Sequence, residues 1–226
     1  MSYDRTLARV ETYFDKTATR TWERLTSDAP VSRIRETVRR GRDEMRALLL
    51  SRLPEDLGGA RVLDAGCGAG QMTAELAARG ADVVAVDISP SLIEIAQKRV
   101  PEGLHRKVRF EAGDMLDQRL GSFDFVVAMD SLIYYREADL AAALHELAGR
   151  TSGQVLFTVA PRTPLLMAMW RMGQVFPRSD RSPTMVPHAP ARIANALRSH
   201  GSKARLAPFS RVSSGFYISQ AMEVAA

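Results

Sequence analysis

The 226-residue chain is short of several things, and each shortage removes a class of protein. It has one cysteine, Cys67, which excludes a disulfide framework and a thiolate metal cage. No apolar run approaches the length of a membrane span, and the N-terminal stretch stays polar and charged through Arg52. Neither a spanning helix nor a secretory leader is read from it, and a cytoplasmic protein is expected. Internal repeats and low-complexity tracts are missing, which leaves an ordinary globular chain long enough for one domain with a lid. Acidic residues thin out towards the end: residues 151–226 carry 9 basic and 2 acidic side chains, against 10 and 14 in residues 59–150 and 12 and 10 in residues 1–58. A basic final third suits an anionic substrate, anionic lipid or nucleic acid; a solvated arginine surface is the plainer reading.

What the chain does have is V-L-D-A-G-C-G-A-G from Val62 to Gly70, with Asp87 ending the next apolar stretch. Gly66, Gly68 and Gly70 allow a tight turn and close approach of backbone to a ligand, and an acid at the second strand end can accept both hydroxyls of a ribose. A pyrophosphate binder would show G-x-G-x-x-G. Here the spacing is G-x-G-x-G, and Asp64 puts a carboxylate where a phosphate would be repelled, so a nucleoside with a cationic tail fits better. Cys67 reads as a small residue that suits the turn.

Short apolar strands then alternate with amphipathic helices from Ala60 to Val159, which argues a parallel sheet of strand-helix-strand units. The expected strands include Ala81–Asp87, Phe123–Asp130 and Val155–Val159, with a terminal hairpin at Lys203–Phe209 and Phe216–Val224. Helices are expected at Thr73–Arg79, Pro90–Val100 and Glu137–Arg150. Before Pro54, Leu7, Val10, Tyr13 and Phe14, then Ile34, Val38, Met45, Leu48 and Leu49, recur at helical spacing.

The glycine turn, Gly113-Asp114-Met115 after the third strand, and F-D-F-V-V-A-M-D resemble the spaced motifs of class I S-adenosylmethionine-dependent methyltransferases. That resemblance implies a Rossmann-like α/β fold with a seven-stranded, mostly parallel sheet and helices on both faces. It implies an N-terminal helical arm over residues 1–57 and a cofactor-binding domain over 58–226, with a lid insertion at 161–190. By the same resemblance Asp64 and the turn amides meet the methionyl ammonium and Asp87 the ribose. Ile88 and Met115 sandwich the adenine, Asp114 accepts from its amino group, and Met129 and Asp130 lie beside the sulfonium. Arg33, Arg39 and Arg40 either reach the cofactor carboxylate or cover a helix face.

The acceptor is narrowed by exclusion. After the fourth strand comes D-S-L-I-Y-Y, not the Asn/Asp-Pro-Pro-aromatic motif of amino methylators, and no acidic cluster resembles the magnesium site of catechol methyltransferases. Small-molecule O-methylation leads. The stretches V-E-T-Y-F-D-K-T-A-T-R-T-W-E-R-L from Val10 and V-S-R-I-R-E-T-V-R-R-G-R from Val31 resemble the arm of the magnesium-protoporphyrin IX O-methyltransferases of chlorophyll and bacteriochlorophyll biosynthesis in photosynthesis. This implies esterification of one porphyrin propionate, with magnesium arriving inside the substrate and no protein-bound metal. It also implies hand-off from the magnesium-chelatase porphyrin-binding subunit, peripheral contact with a photosynthetic membrane, and no nucleic-acid partner.

By that resemblance the family's arm tyrosine maps to Tyr13, and a histidine of some members falls at Tyr134, where this chain departs. Both tyrosines can donate a hydrogen bond to the acceptor, or serve as aromatic packing. The insertion offers Met167, Trp170, Met172 and Phe176, either as a soft lid over a flat apolar substrate or as helix packing. His188 caps the next helix or approaches the porphyrin magnesium. Competing readings are an O-methyltransferase of a quinone or other apolar hydroxyl, a non-catalytic porphyrin- or lipid-binding carrier, and a ribosomal RNA methylator.

Overall fold

The structure, a computed structural model, describes residues 3–18, 33–164, 166–167, 185–202 and 204–225, with backbone alone at 16–18 and 34. Eight strands form one sheet: β1 (Arg61–Ala65), β2 (Asp82–Asp87), β3 (Val108–Ala112), β4 (Phe123–Ala128), β5 (Thr151–Pro161), β6 (Pro187–His188), β7 (Arg205–Ser214) and β8 (Tyr217–Ala225). The main path runs β3-β2-β1-β4-β5-β8-β7, with two-residue β6 added beside β5. The path holds the seven strands expected, and β6 was not foreseen. Pairing is parallel from β3 through β5, while β8 runs antiparallel between β5 and β7. Strand order therefore reverses beside β1, and open α/β sheets bind ligands outside the carboxyl ends of strands at such a point.

Helices α1 (Tyr3–Thr12), α2 (Arg33–Leu50), α3 (Gln71–Ala78), α4 (Pro90–Arg99), α5 (Glu137–Gly149) and α6 (Pro190–Ser199) surround the sheet. Local chemistry sets their ends. Ser89 caps α4 by accepting from the Leu92 amide, Pro90 follows at the first turn, and Lys98 and Arg99 close the last turn against the dipole.

Side chains alternate across the strands, so neighbouring residues enter different cores. Leu63, Val84, Val126 and Phe157 pack with Leu140 and Leu144 of α5 and Ile193 and Leu197 of α6. Val62, Val83, Val127 and Leu156 pack on the other face with Met45 and Leu49 of α2 and Leu76 of α3. Both faces are covered, which is why β1 and β2 read as nearly continuous apolar runs. A third cluster joins Val10 of α1 and Phe14 to Leu92, Ile133 and Tyr134 above the carboxyl ends of the strands. It forms the roof of the site.

Candidate active site

The glycine turn hangs from β2. The amides of Gly66 and Cys67 both donate to the Val86 carbonyl, at 2.8 and 2.9 Å. Gly66 must be glycine for two reasons: its φ is +81°, and a Cβ there would sit 2.3 Å from the Cβ of Ser131. Gly70 also has φ +81°, and starts α3 against Ala96.

Two carboxylates lie beneath the turn. Asp87 accepts from the Gly68 amide through Oδ2 and from the Ser89 amide through Oδ1, both at 2.9 Å. Asp64 accepts from the Thr73 hydroxyl at 2.6 Å. Both side chains are buried. Desolvation raises the Asp64 pKa to about 7, against the Thr73 hydrogen bond, with the Asp87 charge adding to the rise. Desolvation likewise lifts Asp87 to about 6 against its two amide hydrogen bonds. Buried acids held this far above the ordinary range are suited to a cationic, hydroxyl-bearing ligand, because such a ligand stabilises the charge that burial opposes.

The cleft above them encloses about 880 Å³, counting its open mouth. Asp64, Gly66, Gly68, Asp87, Ile88, Met115, Met129, Asp130 and Tyr134 all line it, as does Cys67. These expected residues are therefore gathered around one space. Gly70, Asp114 and Tyr13 do not line that space. Asp114 Oδ1 instead accepts from the Tyr3 hydroxyl at 2.6 Å and from the Leu116 amide at 2.9 Å. Phe14, next to Tyr13, faces the cleft and packs edge-on to Tyr134, with ring centroids 6.0 Å apart. Met167 is half-buried and outside the cleft lining; Trp170, Met172 and Phe176 lie outside the described residues.

Of the two arginine readings, covering a helix face is the one that stands, and the histidine expectation needs correction. Arg33 is exposed, Arg39 pairs with Glu36 at 3.7 Å, and Arg40 reaches the Ser214 hydroxyl. The cleft-lining arginines are Arg42 and Arg46. Helical rotation turns Arg33 and Arg40 away from the face of α2 that 42 and 46 share, while Arg39 is on that face one turn earlier, beside Glu36. His188 caps nothing: Ala189 is the N-cap residue of α6, with no side-chain cap. The imidazole is buried with Nε2 3.1 Å from the Tyr135 carbonyl, and burial lowers its pKa.

Asp130, two residues past the end of β4, has left-handed backbone, φ 57°, alone among the described non-glycine residues. Three elements hold it there. Arg42 of α2 donates to its Oδ2, the Tyr217 hydroxyl of β8 lies 3.1 Å from each carboxylate oxygen, and the Thr158 hydroxyl of β5 is 3.0 Å from Oδ1. Strained backbone of this kind persists where surroundings over-determine it, commonly beside functional sites. Arg42, Arg46, Phe14, Gln71 and Ser131 are among the cleft-lining residues that sequence reasoning missed. The spacing of four between Arg42 and Arg46 marks a shared helix face, but Arg35 and Arg39 have it too, so it does not say which pair enters the cleft.

A pH dependence follows from the two acids. A cationic ligand needs Asp64 ionised, so its affinity should rise as pH increases from about 5 to 8 and flatten above the Asp64 value of about 7. The ligand-free fold should move the other way. Both folded values exceed the ordinary 3.8, so between about pH 4 and 7 the unfolded chain loses its protons first and stability falls as pH rises. Calorimetric titration with S-adenosylhomocysteine and ligand-free melts across that window check both signs. An affinity that is flat from pH 5 to 8 would remove Asp64 from the cation site.

A nucleoside held at the switch point, with its cationic tail over a buried acid, is the arrangement of class I S-adenosylmethionine-dependent methyltransferases. Fold and cleft together place the chain in that class. Residues 62–152 match a general methyltransferase domain, and residues 128–226 match the family described as magnesium-protoporphyrin IX methyltransferase C-terminus. The chain is 59% identical to the magnesium-protoporphyrin O-methyltransferase of Rhodobacter capsulatus, over 95% of this chain and 94% of that one. Identity to the enzyme of that name from Synechocystis is 30%, over 97% and 95%. The crystal structure of magnesium protoporphyrin IX methyltransferase from Synechocystis PCC 6803 with bound SAH superposes with a TM-score of 0.80, covering 96% of this chain and 98% of that one at 28% identity. The chain belongs to the magnesium-protoporphyrin IX methyltransferase family.

Proposed function

We propose that this chain transfers the methyl group of S-adenosylmethionine to one propionate carboxylate of magnesium-protoporphyrin IX, giving the monomethyl ester. The observation that carries it is a match along nearly the whole chain to a relative of that name at 59% identity. The donor supplies an electrophilic methyl: as a carboxylate oxygen bonds to it, the bond to sulfur breaks with its electron pair on sulfur, and no proton moves. The protein's task is then to bind, orient and exclude water.

Asp87 holds the ribose, Asp64 answers the ammonium, and Ile88 with Met115 covers the adenine. Arg46 is the cleft arginine placed to meet a carboxylate, since its partner Asp43 is half exposed and exchangeable. A propionic acid, with an ordinary pKa of about 4 to 5, is already ionised near neutral pH, so no general base is required. Tyr134 orients the acceptor. Burial and then the Asp130 charge push its pKa further above the ordinary tyrosine value, which keeps it a neutral donor.

The functional division is an arm over residues 1–57, the domain over 58–226, and a lid at 161–190. Among the described residues no helix is long and apolar enough to cross a membrane. Peripheral contact with the photosynthetic membrane, and receipt of the porphyrin from the magnesium-chelatase subunit, belong to this reading through the resemblance.

Product mass analysis after incubation with S-adenosylmethionine and a panel of metalloporphyrins and quinones tests it. One added methyl on magnesium-protoporphyrin IX is expected; methylation of a quinone alone would sink it. The rate should be nearly flat between about pH 6 and 9, apart from the weakening of cofactor affinity at its acid end. Tyr134→Phe should lower turnover about tenfold without adding an acid limb, the size of one orienting hydrogen bond. A steep limb that disappears in that variant would mean a general base and a hydroxyl acceptor.

A further inference from the structure

Ser131 is a polar group of the cleft that the reading above leaves unused. Its Oγ is buried and has no hydrogen-bond partner among the described residues, although the residue lines the cleft together with Gly66 and Tyr134. A buried hydroxyl without a partner is costly in the free protein, so its retention beside a ligand site points to a bond made in the complex.

The surroundings fix where that bond can go. Ser131 packs under Gly66, whose missing Cβ would fall 2.3 Å from the serine Cβ. On its N-terminal side Asp130 is locked by Arg42, Tyr217 and Thr158. On its C-terminal side the Ile133 carbonyl accepts from the Val186 amide at 2.8 Å, and the Tyr135 carbonyl faces His188 at 3.1 Å. The segment 130–135 is thus a wall pinned at three points, so the hydroxyl, covered in the free protein, keeps its place when a ligand displaces its cover.

We propose that the Ser131 hydroxyl donates a hydrogen bond to the accepting carboxylate, holding one oxygen so that the other faces the methyl. This rests on the acceptor reading above, because a carboxylate has a second oxygen to hold and a phenolic acceptor has none. Ser131 is a specificity residue in that sense: it favours acids over hydroxyl compounds. Tyr134 orients the acceptor from the same wall three residues on, and the two donors together fix the carboxylate plane.

The test compares Ser131→Ala, which removes the hydroxyl, with Ser131→Cys, which keeps most of the volume and weakens the donor. Each is assayed for kcat on magnesium-protoporphyrin IX, for S-adenosylhomocysteine affinity and for Tm. The expected result is a kcat lower by about tenfold in the alanine variant and by several-fold in the cysteine variant. S-adenosylhomocysteine affinity should stay within about twofold, and Tm should be unchanged or higher because an unsatisfied donor has gone.

Full kcat in Ser131→Ala overturns the proposal. So does full kcat in Ser131→Cys alone, which would mean packing, and so does a loss of S-adenosylhomocysteine affinity that matches the loss of rate, which would assign the hydroxyl to the cofactor. A Tm that falls in step with activity would make Ser131 structural and overturn it too. The wild type run alongside separates two failures: no ester from wild type defeats the acceptor reading and this inference with it, whereas normal ester from wild type and alanine variant alike defeats the inference only.

Discussion

Asp87→Ala should weaken S-adenosylmethionine binding by about 2 to 4 kcal/mol, since one charge-assisted hydrogen bond is worth about 1.5 to 3 kcal/mol and the two proposed to the ribose share one carboxylate, so together they give less than twice that. That is roughly thirtyfold to a thousandfold in Kd. The carboxylate already anchors the turn through the Gly68 and Ser89 amides, so the variant also removes two acceptors from buried donors. Asp87→Asn separates the contributions, because the amide keeps the shape and one acceptor while losing the charge. Calorimetric titration of variants shown to be folded by circular dichroism gives the numbers. An affinity unchanged in the alanine variant would take Asp87 out of the cofactor site.

Arg42→Ala is expected to cost about 3 to 5 kcal/mol of folding stability, the usual loss when one partner of a buried ion pair is removed. The pair is well covered, with side chains 14% and 8% exposed. Without the guanidinium, the Asp130 carboxylate keeps the hydroxyls of Tyr217 and Thr158 but has no opposite charge, and its left-handed backbone has lost one of three restraints. Urea melts of Arg42→Ala, Asp130→Asn and the double variant measure the coupling. A loss below about 1 kcal/mol in the single arginine variant would show that the hub does not depend on the ion pair. Because the hub also holds the wall carrying Ser131 and Tyr134, turnover should fall at temperatures where the variant is still folded.

The parts of the site that were legible in the sequence are those fixed within a few residues of one another. Three glycines at alternate positions after an apolar strand can only turn, and the acid of the next strand must follow at its carboxyl end. Asp64, Gly66, Gly68 and Asp87 were readable for that reason. The strands and helices between Arg61 and Pro161 were readable because hydrophobic period and capping are local. The edges were not. β5 begins at Thr151 and β7 runs on to Ser214, since pairing with β4 and β8, and not the apolar run, decides where a strand stops.

In the arm, Phe14 and not Tyr13 lines the cleft. A π-helical stretch over Tyr13–Ala18 changes the rotation per residue there, and a regular 3.6-residue period does not carry into it.

By itself, then, the amino-acid order determined the fold class, the cofactor turn and the kind of ligand that two buried acids can accept, since each is written in backbone propensity and period along a short stretch. Tertiary structure alone decided the rest of the cleft and the contacts around it. Arg42 meets Asp130 across 88 residues, Tyr217 reaches it across 87, and Tyr3 meets Asp114 across 111. No local pattern encodes which arginine of α2 turns inward or which hydroxyl is left without a partner. Those outcomes depend on how the packed layers bring distant segments to one strand end, where burial makes each charge or donor find a partner or keep a place for a ligand.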